Sequence, residues 1–267
     1  VDMLFDSDMP VPWVLVKGNH DVSNSPGQPE AWREVIKPFM EGQLKQSVDD
    51  GMYRYCVADN TDLFVLDQFF SIDRNRRESE MVEWLEKELE QSEAKYKFIL
   101  THQPVIPVTG RCWHLLSGLR RKVEDQAMRE RFLNLLGRHK AIVLCAHLHK
   151  YSVLSRETES GPVVQIMINS VNRGFEIPPP DTFETSYAGR GFVDKEPSFD
   201  PSTDSIRRSI LDNEKNHIRY FLQADMPGYA IFQIWGEKEE IILSYFNGYS
   251  LTPFHNISIT DLQNQSL

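Results

Sequence analysis

Five side chains with metal-binding chemistry each stand just after a short apolar run in this sequence: Asn19, His20, His102, His147 and His149. Neutral imidazole is the commonest metal ligand that proteins supply. In the tripeptide His147-Leu148-His149, an extended backbone would point both imidazoles the same way, because residues i and i+2 share a face. The alternative interpretation is two exposed loop histidines, since a motif of two residues is a weak signal.

The tetrapeptide Gly18-Asn19-His20-Asp21 follows residues 11–17, an apolar run that we predict to be a strand. Glycine permits a sharp turn, and ligands of open α/β sheets bind beyond the carboxyl ends of strands. The same four residue types also favour an ordinary turn. Thr101-His102-Gln103-Pro104 ends a second apolar run in the same manner, and Asp67 ends a third, either as a catalytic carboxylate or as a local hydrogen-bond acceptor.

The elements that must position these side chains alternate between strand and helix in the first half of the chain and are mostly strands in the second half. Amphipathic periodicity predicts helices over 30–40, 78–92 and 126–136, the last capped by Gly137. An insertion over 172–228, with a helix near 204–222, is either a lid or a surface elaboration. Strands are predicted over 11–17, 53–57, 63–67, 97–100, 142–145, 151–154, 163–168, 229–235 and 240–246.

Composition excludes several classes of function. The chain has 267 residues and a net charge of −10, which argues against a duplex nucleic acid partner because such binding needs a basic face. Three cysteines do not form a disulfide framework, and Cys145 lies in an apolar run typical of the core. No run is long enough for a membrane span. Because the chain opens on Val1, we expect its true N-terminus to be missing, and the sequence leaves localisation open.

Taken together, the motifs Gly-Asn-His-Asp, Thr-His-Gln-Pro and Ala-His-Leu-His, in this order over about Val11 to Ile168, resemble those of the calcineurin-like metallophosphoesterases. This superfamily includes purple acid phosphatases and cyclic nucleotide phosphodiesterases. The resemblance implies a mixed α/β fold, a four-layer α/β/β/α sandwich, formed by one domain over residues 1–267. It also implies hydrolysis of a small-molecule phosphate ester, either a monoester or a diester.

The resemblance further assigns roles to individual residues. Asn19, His102 and His147 resemble ligands of one metal ion, and His149 resembles a ligand of a second. His20 resembles the residue that contacts the phosphate and helps to protonate the leaving group. Nitrogen and oxygen ligands suit two divalent or trivalent ions among Mn, Fe, Zn and Ni.

Three further expectations accompany this assignment. Asp21 is expected to fix its loop, and Arg111 and His114 are candidates to bind an acidic group of the substrate. The family's Asp-x-His and Gly-Asp-x-x-Asp motifs are missing upstream of Gly18. We therefore expect the chain to begin after the first two strands of the domain and to be catalytically impaired. The alternative is a binding module that kept the fold and lost the chemistry.

Overall fold

The computed structural model describes residues 11–22, 26–48, 51–69, 74–108, 112–117, 122–170, 205–224, 226–248 and 250–264. The chain divides into two compact units, Val1–His102 and Gln103–Leu267. Each unit contains both strands and helices, as the predicted mixed α/β class requires. The division into one domain with an insertion stays a prediction.

The N-terminal unit is built on three strands, β1 (Tyr53–Ala58), β2 (Thr61–Val65) and β3 (Tyr96–Leu100). Strands β1 and β2 form the predicted hairpin, and β2 runs parallel to β3. The helices of this unit are α1 (Gln28–Ala31), a π-helical stretch (Trp32–Ile36), α2 (Lys37–Leu44) and α3 (Arg74–Gln91). The apolar face predicted for α3 is confirmed, because Met81, Leu85 and Leu89 are all buried.

The strand predicted over residues 11–17 is wrong. Residues 12–18 adopt no strand pairing. Instead, Trp13, Val14, Leu15 and Val16 pack their side chains against a buried cluster that includes Phe39 and Met40. An apolar run alone does not make a strand, because strand structure also needs a neighbouring backbone to complete the hydrogen-bond ladder.

The C-terminal unit contains four strands paired in the order β4-β6-β5-β7 and a three-stranded sheet in the order β10-β9-β8. Strand β4 is parallel to β6, whereas β5 is antiparallel to both β6 and β7. Its strands are β4 (Ile142–Cys145), β5 (Tyr151–Arg156), β6 (Val163–Met167), β7 (Ile218–Ala224), β8 (Gly228–Trp235), β9 (Glu240–Asn247) and β10 (His255–Ser258). Its helices are α4 (Lys122–Arg138), α5 (Ser205–Lys215) and α6 (Ile259–Asn264).

The helix predicted near 204–222 ends too late. Helix α5 stops at Lys215, and the chain then forms β7, which pairs with β5. The tail of the predicted insertion is thus a strand of the sheet, while residues 172–204 lie outside the described residues. Register with a partner strand, which the isolated sequence does not display, overrides the local helical preference.

The cap predicted at Gly137 is also wrong, since α4 continues to Arg138. Lys140 takes the left-handed capping conformation instead, with φ 49°. Its N–H donates to the Gly137 carbonyl and the Ala141 N–H donates to the Leu136 carbonyl, the pattern of a Schellman motif. Gly137 serves packing, because a Cβ atom there would lie 2.6 Å from the Gly161 carbonyl oxygen.

Cys145 is buried at the end of β4, and its burial raises the pKa of the thiol, which confirms a core role. Among the described residues, none of the helices combines the length and the apolar character needed to cross a membrane.

Candidate metal centre

Asn19 and His102, 83 positions apart in the chain, meet in the N-terminal unit. The Oδ1 atom of Asn19 lies 2.8 Å from Nε2 of His102. Parallel strands β2 and β3 align Val65 with Leu100, so residues two positions beyond them, Asp67 and His102, emerge at the same edge of the sheet. The structure therefore confirms that Asn19 and His102 converge at a carboxyl edge, the position where α/β sheets bind ligands.

Gly18 lets the turn approach the imidazole closely. A Cβ atom at Gly18 would lie only 2.8 Å from Cε1 of His102, closer than real Cβ contacts allow. The turn itself is a single 3₁₀ helix over Asn19–Asp21. Asp21 accepts a hydrogen bond from the Gly18 N–H at 2.8 Å, which confirms its predicted role in fixing the loop. His20 is exposed on this turn, as a residue that contacts substrate must be.

A buried ion pair connects the residue before this turn to the segment just after β2. Nζ of Lys17 lies 2.5 Å from Oδ2 of Asp67, and both side chains are almost completely excluded from water. The ammonium group also lies 5.3 Å above the centre of the Trp32 ring, a cation–π geometry. Because Lys17 directly precedes Gly18, the pair fixes where the Asn19 turn begins. Asp67 thus makes structural contacts, the second of the two roles predicted for it.

The same aspartate extends this support to the imidazole. Oδ1 of Asp67 accepts a hydrogen bond from the Phe69 N–H at 2.8 Å. The Phe69 ring in turn meets the His102 ring edge-on, with centroids 5.6 Å apart and an interplanar angle of 68°. Asp67 therefore connects both members of the Asn19–His102 pair, one through Lys17 and the other through Phe69.

His147 and His149 follow β4 in the C-terminal unit, but their backbone is not extended. Both have left-handed φ angles, 72° and 52°. The Leu148 N–H donates to the Ala146 carbonyl at 2.9 Å, which makes Ala146–Leu148 a γ-turn centred on His147. The prediction that an extended backbone aligns the two imidazoles is wrong, because the chain turns as soon as the strand ends. Non-glycine residues rarely adopt this region, and such strain clusters at functional sites.

Trp113 contacts His147 in this unit. The centroids of the indole and imidazole rings are 6.0 Å apart and the planes are tilted by 48°. His147 is half-buried and His149 is exposed. Both imidazoles are therefore at least partly accessible to solvent.

His114, one of the two predicted substrate-binding residues, lies in the protein interior with 4% of its surface exposed. Burial lowers the pKa of its imidazole to about 3, and the charge of Arg129 acts in the same direction. It is thus uncharged near neutral pH, and we propose no phosphate contact for it. Arg111, the other candidate, lies outside the described residues.

The chemical type of these side chains suits a transition metal. The amide oxygen of Asn19 and three imidazoles are the oxygen and nitrogen donors that Mn, Fe, Zn and Ni accept. The atoms that would face an ion, Oδ1 of Asn19 and Nε2 of His102, already point at each other. In the part of the chain that the structure describes, no three His, Cys, Asp or Glu side chains form a metal-binding cluster. The sharing of one ion by Asn19, His102 and His147, and the role of His149 at a second, stay predictions.

Two residues that contact this centre were not predicted from the sequence, Lys17 and Trp113. A lysine closing an apolar run, with an aspartate closing another, signals a buried pair, since a lone buried charge is too costly. Trp113 stands within a long loop that has no periodicity, so no pattern in the sequence distinguishes it.

Comparison with known proteins gives one family. Residues 1–151 match the family model described as calcineurin-like phosphoesterase. No curated protein matches the chain significantly.

Three solved structures are similar to the chain at low sequence identity. PhoD is 15% identical to this chain, with a TM-score of 0.46. The GAP50 anchor of the Plasmodium inner membrane complex is 10% identical, with a TM-score of 0.42. Purple acid phosphatase PPD1 from yellow lupin seeds is 9% identical, with a TM-score of 0.48. The matches cover 93%, 77% and 91% of this chain but only 48%, 52% and 39% of those structures. The chain thus spans about half or less of the length of each.

Proposed function

The chain belongs to the calcineurin-like phosphoesterase family, and on that premise we propose that it hydrolyses phosphate esters at a dinuclear metal centre. Asn19, His102 and His147 would hold one ion, and His149 would contribute to the second. Two bound ions would supply positive charge to the phosphoryl oxygens and acidify a water molecule to give the nucleophile.

The convergence of Asn19 with His102 is the observation that carries this proposal. The amide oxygen of Asn19 and the imidazole nitrogen of His102 lie 2.8 Å apart, close enough for one ion to contact both. Four separate contacts favour this arrangement: the Gly18 packing, the Asp21 hydrogen bond, the Lys17–Asp67 pair and the Phe69 ring. Such support from neighbouring groups is typical of metal ligands, which need fixed orientation to bind well.

His20 has the exposure and the chemistry for proton transfer. It is adjacent to Asn19 on the same 3₁₀ turn and open to solvent. An imidazole changes its protonation in the physiological range, so it can donate a proton to the ester oxygen as that oxygen leaves phosphorus. The role we propose for His20 is therefore that of a general acid.

The proposal is tested by hydrolysis of 4-nitrophenyl phosphate by the purified full-length protein supplied with Mn²⁺ or Zn²⁺. We expect turnover that a chelator removes. The His102→Ala variant should lose more of its activity than an enzyme that loses an outer-shell partner of a metal ligand. The loss in that case is typically about 10- to 100-fold. The same turnover in wild type and His102→Ala, or none with any divalent metal, would contradict the proposal.

A further inference from the structure

Trp113 is exposed although its neighbours on both sides are buried. Its side chain is 46% accessible, whereas Cys112, His114, Leu115 and Leu116 are between 0% and 4% accessible. A large apolar side chain that is nearly half exposed can contact a molecule bound beside it.

The backbone on both sides of Trp113 is held in unfavourable conformations. Cys112 and Leu116 have left-handed φ angles, 52° and 55°. Neither residue is glycine, so each costs energy that the surrounding contacts must offset. The Leu115 N–H donates to the Pro104 carbonyl at 2.7 Å, which anchors this short segment to the start of the loop. The backbone on both sides of Trp113 is therefore held by local contacts.

The indole also contacts a residue of the candidate metal centre. Its ring centroid is 6.0 Å from that of His147, which itself adopts a left-handed φ of 72°. A phosphate ester held at His147 would therefore carry its organic group within reach of the indole. Flat aromatic groups stack on exposed tryptophan rings, whereas an aliphatic alcohol gains much less from the same surface.

We propose that Trp113 is a specificity-determining residue, which stacks against a flat aromatic ring in the organic part of the phosphate ester. This inference rests on the proposed function and narrows its substrate class to aryl or nucleoside phosphates. The net charge of −10 argues against a nucleic acid polymer as the substrate, because binding a polyanion needs a basic face. Trp113 contributes binding energy and takes no part in the bond-breaking step.

The test compares adenosine 5′-monophosphate with ribose 5-phosphate, which has the same phosphate and sugar but no base. For the metal-loaded wild type we expect kcat/KM to be about 5- to 150-fold higher for the nucleotide, expressed mainly through KM. Trp113→Ala should remove this preference, so that the ratio of the two kcat/KM values falls to about one, whatever loss is common to both substrates. Trp113→Phe, which keeps an aromatic face, should restore most of it.

Trp235 provides a matched control. It is 48% accessible and lies on β8 of the three-stranded sheet, so Trp235→Ala removes an equally exposed indole. This variant should keep the nucleotide preference. An equal effect of Trp113→Ala on both substrates, or a wild type without preference, would overturn the proposal.

Equilibrium binding separates this proposal from the proposed function. If neither compound is hydrolysed, the proposed function fails, and the role of Trp113 is decided by dissociation constants of the same two compounds measured by calorimetry. Tighter binding of adenosine 5′-monophosphate that Trp113→Ala abolishes supports the stacking role. Equal binding of both compounds, or a preference that survives in Trp113→Ala, overturns it.

Discussion

The two regions that carry the candidate metal ligands are held by different means. In the N-terminal unit, side chains position Asn19 and His102 through an ion pair, an aromatic edge and close packing on Gly18. In the C-terminal unit, the backbone positions His147 and His149 through a γ-turn and left-handed φ angles. Support by side chains is lost when a residue distant from the ligand is substituted. Backbone strain, in contrast, is located at the ligand residue itself and responds to substitution of that residue.

The largest effect should come from breaking the buried ion pair. Lys17→Met leaves the Asp67 carboxylate buried without its cation, which should lower the free energy of unfolding by about 3–5 kcal/mol. It should also weaken binding of Zn²⁺ by about 10- to 100-fold, because Lys17 fixes the start of the Asn19 turn. Urea unfolding and isothermal titration calorimetry measure the two quantities.

Lys37→Met is the control for this change, because Lys37 pairs with Glu41 at the same 2.5 Å distance while both side chains are about 30% exposed. Such a pair contributes about 0–1 kcal/mol. If both lysine variants lose equal stability, or if Lys17→Met keeps full metal affinity, the positioning role assigned to the buried pair is wrong.

A methyl group at Gly18 should disturb the imidazole directly. The Gly18→Ala side chain would meet Cε1 of His102 at 2.8 Å and push the ring away from Asn19. We expect about 10- to 100-fold weaker metal binding, as when the support of a ligand is lost. Gly42→Ala, at a helical position where nothing lies within 4 Å of the new methyl group, should stabilise the protein by up to about 1 kcal/mol and leave metal affinity unchanged. Calorimetric titration of both variants is the measurement, and equal affinities would count against the close approach.

Acid should destabilise the protein through His114. Its folded pKa of about 3 lies below the ordinary value of 6.5, mainly because of burial. Below pH 6.5 the unfolded chain therefore binds a proton that the folded chain does not, and stability falls as the pH falls towards 3. Between pH 6.5 and pH 5 the loss should be about 2 kcal/mol.

Urea unfolding at both pH values checks this expectation. His114→Phe should remove most of the pH dependence of the free energy of unfolding in this window. If the free energy of unfolding of His114→Phe depends on pH as steeply as that of the wild type, the acid sensitivity belongs to another group.

The smallest effect should isolate the backbone strain of the C-terminal region. His147→Gly and His147→Ala both remove the imidazole, but glycine accepts a φ of 72° without steric cost. The glycine variant should therefore be about 1 kcal/mol more stable than the alanine variant, measured by urea unfolding without metal. An alanine variant of equal or greater stability would mean that the turn relaxes and stores no strain.

The sequence predicted the side chains of the centre better than their support. The motif around Asn19 and the strand ending before His102 predicted the convergence that the structure confirms. The Lys17–Asp67 pair was missed because the position of each charge at the end of an apolar run suggests burial but does not identify its partner 50 residues away. The left-handed turn at His147 was missed because histidine gives no signal for positive φ.

The fold shows the same limit. Local periodicity correctly predicted α3 and the β8–β9 hairpin, whose contacts are close in sequence. It failed for residues 11–17 and for β7, because strand pairing depends on a partner elsewhere in the chain. The cap at Lys140 was missed because glycine is the usual residue at this position.

Calorimetric titration of Zn²⁺ into wild type, His102→Ala and His147→Ala tests the central claim most directly. The claim is the proposal that His102 and His147 are ligands of the same ion. Each substitution alone should then abolish the same binding event, and the double variant should show no further loss. The shared metal site is contradicted if the two substitutions abolish different Zn²⁺-binding events. It is also contradicted if both variants bind Zn²⁺ with wild-type affinity.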